Sequence, residues 1–130
     1  MNPEEAVRRL NTILAHAWMV RTFLKHADEI QDDEELLEVP RTVFDYVRMV
    51  EPSHQRGDWK DYLRRIRGRL PKLRRAAELF AREFRRVSDH TNFETAARSL
   101  TGCVAAIEEV LALVPKENTP EGTTEDDDGG

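Results

Sequence analysis

Cysteine occurs once, at Cys103, so the chain cannot close a disulfide on itself and offers no cysteine pair for a zinc site. Long apolar runs are missing too. None approaches the roughly 20 residues that a membrane span needs. The opening Met-Asn-Pro-Glu-Glu is acidic and lacks the basic-then-apolar order of a secretory leader. There is no glycine-rich phosphate loop, no Gly-x-Ser-x-Gly and no dinucleotide fingerprint. These absences exclude a disulfide scaffold and the common nucleotide and serine-hydrolase sites. They predict a soluble chain in a reducing, cytoplasmic setting, away from membranes.

Two apolar seams stand out against that background. One runs Trp59, Leu63, Ile66, Leu70, Leu73, Ala77, Phe80, Phe84, Val87, and the other Phe93, Ala97, Leu100, Val104, Ile107, Leu111, Val114. Alternating steps of three and four keep side chains on one stripe of a helix. Ala6, Leu10, Ile13, Ala17, Val20, Leu24 and Ala27 form a third seam. Leu36, Val39, Val43, Tyr46 or Val47, and Val50 form a fourth. Short connections between such helices favour antiparallel neighbours. The fold class predicted is all-α, an up-down-up-down four-helix bundle.

Helix boundaries follow from local chemistry. Asn2 caps the first helix, with Pro3 at its first position and Glu4 and Glu5 at the positive end of its dipole. Its pattern extends to about Ile30. In the second helix Pro40 interrupts a continuing apolar period, which predicts a kink there rather than a start. Residues 51–57 read as a loop, and Asp58 caps the third helix. Gly68 and Pro71 predict a bend in that helix. Thr91-Asn92-Phe93-Glu94 reads as a capping box that opens the fourth helix, which runs to about Val114. One domain is expected over residues 1–114. Residues 115–130, acidic and without a large apolar side chain, are expected to be a disordered tail.

Charge is unevenly placed. The 130 residues carry a net charge of −5, with 35% of them charged. Residues 28–38 hold seven acids and no base, whereas residues 58–86 hold eleven bases and four acids. Bundle topology would bring Arg82, Arg85 and Arg86 to the acidic 28–38 turn, and Lys60, Arg64 and Arg65 near Glu4, Glu5, Glu51, Glu108 and Glu109. The middle of the third helix, Arg67, Arg69, Lys72, Arg74 and Arg75, is left as a candidate anion or nucleic-acid surface. No stacking aromatics interleave with those bases, and the negative net charge opposes phosphate.

The histidines offer little convergent chemistry. The one Glu-x-x-His, Glu51 to His54, contains Pro52 and falls in the predicted loop, so neither a metal nor a cofactor is expected. Cys103, beside the fourth seam, reads as a small core residue. Arg85 followed by His90 resembles the arginine, four-to-six residues, then histidine pattern of the HEPN group of small helical ribonucleases. That resemblance covers a six-residue window on a helical background. It implies His90 as general acid or base and Arg85 on a phosphate. Arg86 stands where such domains tend to place a polar residue after the arginine. The same spacing recurs at Arg9–His16, Arg21–His26 and Arg48–His54.

Trp18, Met19 and Phe23 flank the first seam. They are candidates for extra core or for a contact with a protein partner or a second copy. The sequence therefore predicts a non-enzymatic helical module that binds a macromolecule or itself. RNA binding through the arginine-rich helix, with Arg85 and His90 as its hydrolytic extension, is the alternative.

Overall fold

A computed structural model describes residues 1–116, and no strand occurs among them. The chain is all-helical: α1 (Pro3–Lys25), α2 (Asp28–Gln31), α3 (Glu38–Arg48), α4 (Glu51–Arg56), α5 (Trp59–Glu83), a 3-10 turn (Phe84–Arg86) and α6 (Thr91–Ala112). The expected tail lies outside the described residues apart from Pro115 and Lys116.

The Asn2 side chain accepts the Glu5 N–H at 2.8 Å, which starts α1 where capping chemistry places it. The helix stops at Lys25, not near Ile30. Ala27 is extended and a new single turn begins at Asp28. The reason is electrostatic as well as geometric. Asp28 and Glu29 would sit at the negative end of a continued α1, whereas the break places them in the first turn of α2. Re-aiming one turn still leaves Ile30 fully buried.

Pro40 also resolves differently from the expected kink. It is the third residue of α3, where the missing N–H has no intrahelical partner to lose. The turn before it is pinned by Asp33, whose carboxylate accepts the Leu36 N–H at 2.9 Å. Leu36, Val39, Val43, Tyr46 and Val50 are buried as one face. The expected loop at 51–57 is instead a short helix: Pro52 opens α4, and Gly57 closes it with φ +69. That proline-first, glycine-last order is a helix signal in its own right. Asp58 then caps α5, accepting the Asp61 N–H at 3.1 Å.

Helix α5 is continuous across Gly68 and Pro71. At α6 the cap is His90, not Thr91. His90 Nδ1 accepts the Asn92 N–H at 3.0 Å, and Glu94, freed from a capping box, reaches Arg85 at 3.3 Å.

Helix α1 packs against α3 and α6, and α5 packs against the same two. Leu10, Leu24, Ile66, Leu73, Phe80, Leu100 and Ile107 sit in the shared core, each with essentially no exposed surface. Both tyrosines reach into it and keep their hydroxyls bonded: Tyr46 donates to the Ile66 carbonyl at 2.8 Å and Tyr62 to Asn11 Oδ1 at 3.0 Å. No buried side-chain N or O among the described residues lacks a partner, so the core carries little polar cost.

Candidate functional site

The basic helix divides its charges among three surroundings. Arg67 and Arg74 turn to α6. Arg67 is half-buried and donates to the Val114 carbonyl at 2.8 Å, while Arg74 meets Glu108 at 2.7 Å. Burial pulls the Arg67 guanidinium below its usual pKa. These two are therefore engaged, contrary to the reading of 67–75 as uncompensated. Arg75 is exposed and forms no ion pair with a described residue.

The ends of α5 are also paired. Arg86 bonds Asp33, Glu35 and Glu83, so the acidic turn and the C-terminal bases do meet. Those bonds, with the Asp33 and Glu83 carboxylates largest, hold the Arg86 pKa above its ordinary value. At the other end Asp61 is a hub. It accepts from the buried Ser53 hydroxyl, from Arg64 at 2.6 Å, from Arg65 at 2.9 Å and from Arg56 at 3.3 Å. Desolvation works against its charge, and hydrogen bonds from Ser53, Arg65 and Arg64 outweigh that cost. The carboxyl consequently lies well below the usual carboxylate range. The sequence reading had offered Arg65 acids on other helices; the structure gives it one on its own.

The remaining cations line a cleft. Between α3 and α5 lies a cavity of about 250 Å³ walled on the α5 side by Arg64, Arg65, Gly68, Arg69 and Lys72. Thr42, Asp45, Tyr46 and Met49 form the α3 side. Arg69 and Lys72 make no ion pair with a described residue, and neither does Asp45. Of the sequence candidates, this cleft brings together Arg69 and Lys72 and leaves out Arg67, Arg74 and Arg75. The α3 wall was missed, although Thr42, Asp45, Tyr46 and Met49 follow the i, i+3, i+4, i+7 spacing of one helical stripe.

A second, wider groove of about 580 Å³ runs between α1 and the α3–α4 corner. Leu14, Ala15, Trp18, Met19, Val47 and His54 are among its walls. Trp18 packs on Phe44 with ring centroids 5.6 Å apart, and the Arg21 guanidinium lies 4.3 Å from the Trp18 ring. Met19 is 65% exposed. Phe23 does not join them. It is half-buried against Phe93 at 5.2 Å, on the α6 side.

Arg85 and His90 converge on neither cleft. Arg85 pairs with Glu94 and lies over the Phe84 ring, while His90 is occupied as a cap. His26 bonds the Thr22 carbonyl through its ring, His54 packs near Trp59 and Tyr62, and His16 is exposed. Among the described residues no three His, Cys, Asp or Glu side chains gather to hold a metal. Cys103 is buried near the Ile13 carbonyl, and burial pushes its thiol pKa up, away from the reactive thiolate. None of the described helices is long and apolar enough to cross a membrane.

The capping role of His90 has a direct check. His90→Ala should lower unfolding stability by about 1 kcal/mol, and His90→Asp should restore it. Thr91→Ala should change little. Chemical denaturation of the three variants distinguishes a His90 cap from a Thr91 capping box.

No family model matches this chain, and neither does any curated protein or solved structure.

Proposed function

We propose that the chain is a non-enzymatic, antiparallel four-helix bundle that associates with a second copy, or with a protein partner, through the Trp18–Met19 groove. The bundle would span residues 1–114 and carry an acidic tail from 115, in a reducing cytoplasm. Contacts that step down α6 as they step up α5 support the antiparallel reading: Arg67 with Val114, Arg74 with Glu108, Arg85 with Glu94. Helix α1 stands in the same relation to α6, through Met1 with Leu113 and Phe23 with Phe93. A bend of α5 at Gly68 and Pro71 belongs to this reading, because Pro71 offers no N–H to the carbonyl four residues back.

The observation that carries the association surface is Met19, left 65% exposed beside Trp18 on the rim of an apolar groove. A flexible thioether next to a large aromatic is a composition that interfaces favour. Arg48 and Glu51, paired at 2.7 Å on the groove wall, supply charges of both signs, which suits a self-complementary contact. The scattering of the four histidines supports the non-enzymatic half of the reading.

Sedimentation velocity over a concentration series tests it. A concentration-dependent dimer is expected, and Met19→Glu should return the protein to monomer while melting like the wild type at dilutions where the wild type is also monomeric. A wild-type chain that remains monomeric at every concentration defeats self-association.

Nucleic-acid binding through α5, with hydrolysis at Arg85 and His90, has less support. Two of the five bases in the proposed patch are held by α6, and the net charge of −5 repels a phosphodiester chain.

A further inference from the structure

We propose that the α3–α5 cleft is a binding site for a small phosphate monoester that also carries a hydroxyl or amino group. This inference is independent of the Trp18–Met19 groove, which lies on another face of the molecule.

The cleft owes its form to sequence spacing on α5. Arg64, Gly68 and Lys72 occupy i, i+4 and i+8, one line along the helix. Glycine in the middle leaves a gap in the row of side chains, with a cation on either side. Arg65 and Arg69, also four apart, run alongside. The result is a concave basic wall around about 250 Å³ of space. That volume suits a sugar-phosphate-sized molecule and is small for a folded partner.

Charge is left over in this cleft. Arg64 and Arg65 are both held by Asp61, and the single 2.9 Å bond from Arg65 Nε leaves that guanidinium with donors to spare. Arg69 and Lys72 have no acidic partner among the described residues, whereas nearly every other base near the ends of α5 does. Two spare cations beside two tethered ones form a recess in which a phosphoryl dianion gains charge-assisted hydrogen bonds.

The α3 wall supplies selectivity. Asp45 has no ion pair with a described residue and lines the same space. A carboxylate there repels a bare anion but accepts from a hydroxyl or ammonium group. Thr42 adds a hydroxyl that can donate or accept. Tyr46 is fixed: its hydroxyl donates to the Ile66 carbonyl, and burial raises its pKa so that it stays a neutral phenol. It forms a rigid, uncharged floor. An anionic end facing α5 and a donor end facing α3 describe a phosphorylated polyol or amine better than inorganic phosphate.

The test is calorimetric titration of the full chain at low salt with four probes: ribose 5-phosphate, inorganic phosphate, ribose and a short single-stranded RNA. Ribose 5-phosphate should bind more tightly than inorganic phosphate, ribose should not bind, and affinity should fall as salt rises. The paired change Arg69→Gln with Lys72→Gln, at residues that hold no ion pair with a described residue, should weaken ribose 5-phosphate by about tenfold or more. Asp45→Asn should narrow the preference for ribose 5-phosphate over inorganic phosphate, because it removes the charge that disfavours the bare anion. Gly68→Gln raises helix propensity and places a side chain in the gap, so it should abolish binding, with circular dichroism of the variant reading whether its helix content and melting are kept. Met19→Glu should leave every affinity unchanged, which keeps this site distinct from the association groove.

Three results overturn the proposal: no heat with ribose 5-phosphate at low salt, equal binding of both phosphates in wild type, or full affinity in the Arg69/Lys72 variant. RNA binding tighter than the monoester, and lost with that variant, would replace it with the nucleic-acid reading.

Discussion

Leu100→Asp should abolish cooperative folding at room temperature. Leu100 has no exposed surface, at mid-length in α6 and within the single buried cluster that links α1, α3, α5 and α6. Two terms act together. The lost burial of a leucine is worth about 1.5–3 kcal/mol. A carboxylate placed among aliphatic side chains, with no base to pair with, adds several more or must take up a proton to remain. Stability for a chain of this size is about 5–15 kcal/mol, so the sum approaches or exceeds it. Circular dichroism with thermal scanning checks this, with loss of the cooperative transition as the expected result. Leu100→Met, which keeps volume and polarity, should cost less than about 1.5 kcal/mol and melt as one transition. A soluble aspartate variant with wild-type melting would mean that α6 does not bury this face.

The second large effect is expected at Asp61. Asp61→Ala removes the acceptor shared by Ser53, Arg56, Arg64 and Arg65. Ser53 is 1% exposed, so its hydroxyl loses its partner inside the protein, while the three guanidiniums lose a common anchor. Hydrogen bonds to a charged group are each worth about 1.5–3 kcal/mol, and the arginines recover part of theirs in water, so the net loss should be about 2–4 kcal/mol. The pH dependence gives an independent readout. The carboxyl titrates lower in the folded chain than its ordinary value near 3.9 in the unfolded one. The folded state therefore gains stability from Asp61 above that value and loses it as pH falls toward the folded pKa. Wild type and Asp61→Ala should differ fully at neutral pH and converge as the solution is acidified below about pH 4. A constant difference down to strong acid would assign the effect to packing instead. Ser53→Ala combined with Asp61→Ala should cost less than the two single changes together, because they share one interaction.

Much of the helical pattern was legible because apolar spacing is a local property of the chain. The seams of α5 and α6 and the Asn2 and Asp58 caps all depend on residues within a few positions of each other. What misled was competition between two local signals. At Pro40 the continuing period argued for a kink, but the proline decided where α3 starts. At 26–31 the period argued for one helix, but acids that would have met the wrong end of a dipole broke it. At 90–94 the Thr-x-x-Glu signature was present, yet the His90 ring took the amide first and Glu94 went to Arg85. The residues at 51–57 look like loop composition, and their proline-to-glycine order makes them a helix.

The candidate site was less legible. Five bases in the middle of α5 were visible as a run, but a run is not a surface. Arg67 and Arg74 face α6, Arg69 and Lys72 face α3, and only that division reveals which charges are spent. The α3 half of the cleft, Thr42, Asp45 and Tyr46, comes from a helix whose partner across the gap is some twenty residues further on. Trp18 and Met19 were separable from Phe23 only once α3 and α6 were seen on opposite sides of α1.

By itself, then, the sequence determined that this chain is helical, which faces of its helices are apolar and where the long helices α1 and α5 begin, because period and capping act over one or two turns. Tertiary structure decided which arginines pair, that Asp61 gathers three of them with Ser53, and that Gly68, Arg69 and Lys72 face Asp45 across a gap. Those outcomes depend on distances between residues far apart in the chain, which packing of the core sets and no local pattern encodes.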